Sequence, residues 1–367
     1  MKNILTLSIV LVASVAHAGA LQPKHVAVLR AGDGVLSLKL KQSPVFIDEF
    51  APGAFNPGPV STVAIPTNGP NALFFNGHAA TEGILSRSAD HHLLCFAGYG
   101  GVNLLQMPGT PSLLQIPRGF GTVDPSGAVH TITYLPQGDA DKLNPRGSAT
   151  DGANNFWGCG NAFATIYLNG NASPVAVVFD AIQNSRAIRI IHDALYVTLN
   201  GPDAIAEDRE PGIYSLQSPS GSASTPPRGV DTRLKAELEV KEPYTKIAGF
   251  DMNDSRTIAY LADNSAGIQK YVKTNGAWKF AYNFSIPQNI PAADNHATGC
   301  FAVVADFSGP NPIIYATTTE GYGGSVNSNR VVQIVDTNAT AIVTTIAQAP
   351  SSEIVYRGID LTPEAGK

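Results

Sequence analysis

Charge is what this 367-residue chain has least of. Asp, Glu, Lys and Arg together make up 14% of it, against about 25% in an ordinary soluble domain. With 44% apolar residues, that scarcity excludes a charged, disordered chain and argues against long solvated helices or coiled coils. Cysteine is also rare. Cys95, Cys159 and Cys300 are an odd set at wide spacing, so there is no disulfide framework and no paired Cys or Cys/His spacing for zinc. Buried, unpaired thiols in strands are the expectation, with a Cys95–Cys159 bridge as the alternative. Basic runs are missing too. The 24 Lys and Arg stand against 29 Asp and Glu, a formal charge of −5. This disfavours non-specific nucleic-acid binding and attraction to an anionic membrane surface. Beyond the first twenty residues no segment reaches eighteen consecutive apolar residues, so no membrane span is expected in the mature chain. No Gly-x-Ser-x-Gly elbow, phosphate-cradling loop or zinc-binding helix occurs, which excludes a standard serine hydrolase, a P-loop NTPase and a zincin. No cofactor or metal is expected.

The amino terminus reads as an address. Lys2 is followed by the apolar run Ile4 to Val15 and by Ala16-His17-Ala18, with small residues where a signal peptidase reads. Residues 1–18 are therefore expected to be a secretory signal peptide. A single domain over 19–367 is expected to be secreted or periplasmic, and monomeric.

What the chain has in abundance is punctuation, with 35 Gly and 26 Pro among many β-branched and aromatic residues. That combination points to numerous short strands and turns. A weak motif recurs: a polar residue, then Gly or Ala, then a short apolar strand. It appears as Glu82-Gly83-Ile84-Leu85, Arg146-Gly147-Ser148-Ala149, Arg186-Ala187-Ile188-Arg189, Ala248-Gly249-Phe250-Asp251, Thr298-Gly299-Cys300-Phe301 and Arg357-Gly358-Ile359-Asp360, at intervals of 40 to 64 residues. A second apolar strand follows each of the first five. This spacing fits propeller blades of four strands. In the fourth repeat, strands at 266–272 and 277–283 meet across Thr274-Asn275-Gly276, a strong hairpin signal. The last motif has almost no chain after it, whereas 25–30, 44–50 and 60–65 supply three strands lacking a first. The sequence thus predicts an all-β, six-bladed β-propeller closed by strands from both termini, or seven blades if 99–120 hides a degenerate one.

Phe250-Asp251-Met252, Thr257 to Asn264 and Gly267-Ile268-Gln269-Lys270-Tyr271 resemble an NHL-type propeller repeat over about 25 residues. The whole chain resembles uncharacterised secreted bacterial propellers, on Arg30-Ala31-Gly32-Asp33-Gly34 and the terminal Arg357-Gly358. The resemblance implies fold and export and carries no activity.

In a propeller the first strand of each blade lines the axis, so the residues opening the six motifs are expected at a common funnel. Arg146, Arg186, Arg357, Glu82 and Thr298 are the candidates. Guanidinium forks suit carboxylate, sulfate or phosphate, so the expected partner is an anionic glycan, or else an extracellular protein. Bracing of neighbouring blades is the competing role for the same arginines. An enzyme acting on uronic-acid-containing glycan, as lyase or hydrolase, is the second functional reading, and a cell-surface interaction scaffold the third. A lyase would need a base beside an arginine, for which His296 or Tyr356 next to Arg357 are the candidates. Tyr99-Gly100-Gly101 and Gly321-Tyr322-Gly323-Gly324 read as exposed loops, each with a sugar-stacking aromatic. Trp157, Trp278 and Phe120 are further aromatics, with core packing the better role for the two tryptophans. Asp90-His91-His92 reads as a polar turn, and Asp203, Glu207, Asp208 and Glu210 as a solvated acidic loop. Asp33 and Asp263 are expected to cap turns.

Overall fold

The computed structural model describes residues 19–39, 42–100, 116–134, 144–161, 163–170, 176–179, 184–200, 210–218, 225–229, 232–240, 246–287, 299–320 and 328–366. The expected signal peptide, Asp203, Glu207, Asp208, His296, Thr298 and Tyr322 lie outside these residues. Among the described residues, no helix is long and apolar enough to cross a membrane.

Among the described residues, the short apolar runs form twenty-five strands in six antiparallel sheets. The amino-terminal strands are β1 (Val26–Ala31), β2 (Val45–Phe50) and β3 (Ser61–Ala64). Blade one holds β4 (Leu73–Phe74), β5 (Leu85–Arg87), β6 (Leu94–Gly100), β7 (Arg118–Val123) and β8 (Val129–Tyr134). Blade two is β9 (Asn144–Thr150), β10 (Asn155–Asn161), β11 (Phe163–Asn169) and β12 (Ala176–Phe179). Blade three is β13 (Ser185–Ile191), β14 (Ala194–Leu199), β15 (Gly212–Gln217) and β16 (Arg233–Glu239). Blade four is β17 (Ile247–Met252), β18 (Ile258–Asp263), β19 (Gly267–Thr274) and β20 (Ala277–Phe284). Blade five is β21 (Cys300–Asp306), β22 (Ile313–Thr318), β23 (Arg330–Val335) and β24 (Val343–Gln348).

The orphan strand β25 (Val355–Leu361) pairs with β1 to give the order β25-β1-β2-β3, so both termini build the sixth blade. The innermost strands then pack in a ring, β5, β9, β13, β17, β21, β25 and back to β5. Of the segment 99–120, the described strand residues belong to β6 and β7 of blade one.

Hairpin chemistry sets the register where the sequence signal was strongest. Asn275 and Gly276 sit at φ of 53° and 79° between β19 and β20, as a two-residue turn with both central residues left-handed requires. Each blade buries both faces against its neighbours, which accounts for the low charge. Trp157 and Tyr167 of blade two pack with Leu195 and Tyr214 of blade three. Ala97 and Phe120 of blade one meet Phe156 and Ile166 of blade two. Tyr260 and Phe284 of blade four meet Val303 and Ile314 of blade five. Burying each such large side chain contributes roughly 1.5–3 kcal/mol. Among the described strands, exposure is greatest on outer ones such as β16 and β20.

Blade one departs from the expected pattern. Its inner strand does not begin at Glu82: Gly83 takes φ 88°, and β6 is flanked by two short pieces, β5 at Leu94–Phe96 and β4 at Tyr99–Gly100.

Candidate ligand site at the propeller axis

The repeat motif makes an irregularity that aims side chains at the axis. On β13, Ser185 faces Leu199 while Ile188 faces Val197, so three residues step against two. β17 does the same between Ile247 and Phe250, and β25 between Tyr356 and Ile359. On a regular strand residues three apart face opposite sides. The extra residue of a bulge brings the first and fourth motif positions onto one side. Two levels of side chains follow, one from the first motif position and one from the fourth.

The small second motif residue has its own cause. Gly358 donates its N–H to Gly83 O at 2.7 Å, and Gly83 and Ile84 donate to Arg146 O at 3.2 and 2.9 Å. Main chains of three blades therefore touch here. A Cβ on Gly358 would lie 2.2 Å from Leu85 N.

At the first level, Tyr99, Arg146 and Arg357 act on Glu82, and Arg186 lies beside Arg146. Arg357 is buried. It donates to the carbonyls of Glu82 (3.4 Å), Asn76 (3.1 Å) and Gly77 (3.2 Å) and lies over the Phe75 ring. Arg146 donates to Thr81 Oγ1 (3.1 Å), Asn184 Oδ1 (2.6 Å) and Ser185 O (3.1 Å), which ties blade two to blades one and three. Both arginines thus brace blades, the competing role expected above. Glu82 accepts from Asn76 N at 3.0 Å and from the Tyr99 hydroxyl at 2.8 Å. Burial raises its carboxyl above the usual range, against the pull of Arg357, the Tyr99 bond and Arg146. Tyr99 is no loop aromatic. It lies buried in β6 with Arg118 over its ring, because Gly100 continues the strand instead of ending it.

Arg186 differs from the other two. With its amide oxygen turned to the guanidinium, Asn200 accepts from Arg186 Nη2 at 2.8 Å and Nε at 3.2 Å. That fills the side edge of the fork. Arg186 Nη1 is buried with no hydrogen-bond partner. Burial, then repulsion from Arg146, pulls the Arg186 guanidinium down to about 9, and burial alone pulls Arg146 to about 10 against attraction by Cys159, Glu82 and Tyr99. Among the described residues, Arg146 is the neighbouring charge that acts on Arg186.

The second level was not anticipated as a site, although its residues occupy the fourth position of three quoted motifs. Arg189 of blade three lies 2.6 Å from Asp360 of the closing blade and 4.0 Å from Asp251 of blade four. Its Nη2 reaches Leu85 O and Ile359 O. Asp360 also accepts from Arg87 N and pairs with Arg87 Nε at 3.2 Å. Asp251 accepts from Met252 N (2.9 Å) and from Ala305 N of blade five (2.8 Å). Burial, followed by the Asp360 charge, lifts its carboxyl to about 6 in spite of Arg189. These groups satisfy one another and hold blades together across the axis.

The other candidates fall elsewhere. Tyr356 is buried in the closing blade, edge-on to Phe50, and the charges acting on it are Asp48 and Arg30 of that blade. Phe120 is buried and stacks on Phe156, and Trp157 is fully buried with its indole N–H on Pro227 O. Trp278 is partly buried against the core and bonds Glu237. Asp90, His91 and His92 form the polar turn expected of them, with His92 Nδ1 at 2.7 Å from Glu364 O and His92 N on Asp90. Asp33 caps Val35 and Leu36, and Asp263 caps Ser265 and Ala266. Glu210, the described member of the acidic group, is exposed. Cys95, Cys159 and Cys300 are free and buried.

No protein-family model matches the chain, and no curated protein matches it. Among solved structures it is similar to the periplasmic gluconolactonase of Pseudomonas aeruginosa, at 13% identity over 88% of this chain and 83% of that one, with a TM-score of 0.45. A candidate 6-phosphogluconolactonase of Bacteroides uniformis gives 12% identity, 89% and 83% coverage and a TM-score of 0.44. Apo AztD of Citrobacter koseri gives 10% identity, 89% and 71% coverage and a TM-score of 0.35. At these values no residue role or activity passes from them to this chain.

Proposed function

We propose that the protein is an exported propeller that binds an acidic extracellular glycan at its axial mouth, without turning it over. The observation that carries this reading is the imbalance of charge at the first level. Arg146 and Arg357 act on one carboxyl, Glu82, which is itself buried and bonded to Tyr99, and Arg186 lies beside Arg146 with no carboxylate acting on it among the described residues. In a chain with a net charge of −5, a buried cationic surplus is costly unless an anion offsets it. Binding is favoured over catalysis because the polar groups beside the arginines are held in fixed bonds. Glu82 receives two donors, and Tyr99 gives its proton to Glu82. Export rests on the leader-like first eighteen residues.

The test is a glycan array probed with the mature protein, with a parallel assay for unsaturated uronic products by ultraviolet absorbance. Retention on uronic-acid or sulfated polysaccharides with no product supports the proposal. Product formation replaces it with the lyase reading. Retention on neutral glycans alone refutes the role given to the arginines.

A further inference from the structure

We infer that Arg186 is the residue that contacts the ligand, and that it takes a carboxylate through the end of its guanidinium fork. The inference rests on the binding role proposed above and assigns that site its chemical class. A guanidinium offers five N–H donors on two usable edges. Asn200 Oδ1 holds the Nε–Nη2 edge of Arg186, which fixes the plane of the group. The Nη1–Nη2 edge then presents two parallel donors, and Nη1 has no partner although it is buried. A buried donor left unpaired is rare and costly. The like charge of Arg146 beside it makes an anion a better partner than water.

The surroundings narrow the class. Arg146 is committed to Thr81, Asn184 and Ser185, and Arg357 to three carbonyls. One end-on fork matches the two oxygens of a carboxylate bidentately. A sulfate or phosphoryl group brings a third acceptor oxygen, and removing that from water without a donor opposes binding. A uronic acid residue is the corresponding sugar unit.

The experiment is calorimetric titration of the mature protein with oligogalacturonate, its methyl ester and a sulfated oligosaccharide. It is run on the parent and on Arg186→Gln, Arg186→Lys and Asn200→Ala, with thermal melting as the check on folding. The expected result is binding of the free acid only. Arg186→Gln loses about ten- to hundred-fold in affinity, the scale of a charge-assisted bond. Arg186→Lys keeps part of the affinity because it retains the charge without the fork, and Asn200→Ala loses a smaller part. Equal binding of the sulfated sugar, full affinity in Arg186→Lys, or unchanged binding in Arg186→Gln overturns the inference while leaving the glycan-binding role standing. A parent protein that binds none of the acidic sugars overturns both.

Discussion

Asp251 is the group through which pH should reach the fold. Its carboxyl is buried on the axis, 4.0 Å from Arg189 Nη1, and is raised from 3.8 to about 6, chiefly by burial. The folded protein therefore binds a proton there more tightly than the unfolded chain does. Its stabilising contribution is fully present below pH 3.8 and is lost as pH rises through about 6. The whole shift corresponds to about 3 kcal/mol. Between pH 7.5 and pH 5 the gain from this group is about 1.4 kcal/mol. For a chain of this length that is roughly a 2 °C rise in melting temperature. The perturbation is Asp251→Asn, which removes the titration while keeping the shape. The Asn has one oxygen to offer the N–H groups of Met252 and Ala305, so its absolute stability falls. The informative quantity is therefore the difference between the two proteins across pH. Chemical denaturation of both at pH 5, 6, 7 and 8 should show the parent gaining over the variant by about 1.4 kcal/mol toward acid. Parallel profiles would refute the reasoning and place the acid dependence in other groups, such as Glu82 or Asp263, whose carboxyls burial also raises.

Three further outcomes follow from the same geometry. Arg189→Met should destabilise the propeller by about 3–5 kcal/mol by leaving Asp360 and Asp251 buried without their cation, and adding Asp360→Asn should recover part of that loss in a denaturation series. Gly358→Ala should lower the melting temperature more than a surface Gly→Ala such as Gly58→Ala, since its Cβ would meet Leu85 N at 2.2 Å whereas Gly58 has nothing within 4 Å. A thiol reagent should leave Cys95, Cys159 and Cys300 unmodified in the native protein and label all three after unfolding. Burial holds the first two thiols up at about 12 and lifts the third as well, and little thiolate forms at neutral pH.

The fold was legible because its punctuation is local. The Asn275-Gly276 turn states a pairing that a short window contains, and the orphan strand at Arg357 lacks a local partner, which left the amino-terminal strands to pair with it. The axial arginines were legible in part: Arg146, Arg186 and Arg357 stand in innermost strands, Arg146 and Arg357 act on Glu82, which precedes β5, and Arg186 lies beside Arg146. The second level escaped for a definite reason. Arg189, Asp251 and Asp360 stand three residues after the motif opening, where simple alternation sends them away from the axis. A bulge is a property of two strands in register, and one strand's sequence does not display it. The charged fourth position in three of six repeats was the available signal. Tyr99 misled in the opposite direction. Two following glycines read as a loop, yet Gly100 carries on β6, and the hydroxyl of Tyr99 is spent on Glu82 rather than on a sugar. Which arginine keeps an unpaired terminal nitrogen was beyond sequence altogether, since it depends on Asn200 occupying one edge of Arg186 and on Thr81, Asn184 and backbone carbonyls holding the other two arginines.

The most direct test of the central claim is a crystal structure of the mature protein with a bound oligogalacturonate. A uronate carboxylate lying end-on to Arg186 Nη1 and Nη2, with Asn200 still on the opposite edge, is the expected result. A carbonyl or carboxylate of the chain itself filling that edge, with the sugar bound elsewhere or absent, would contradict it.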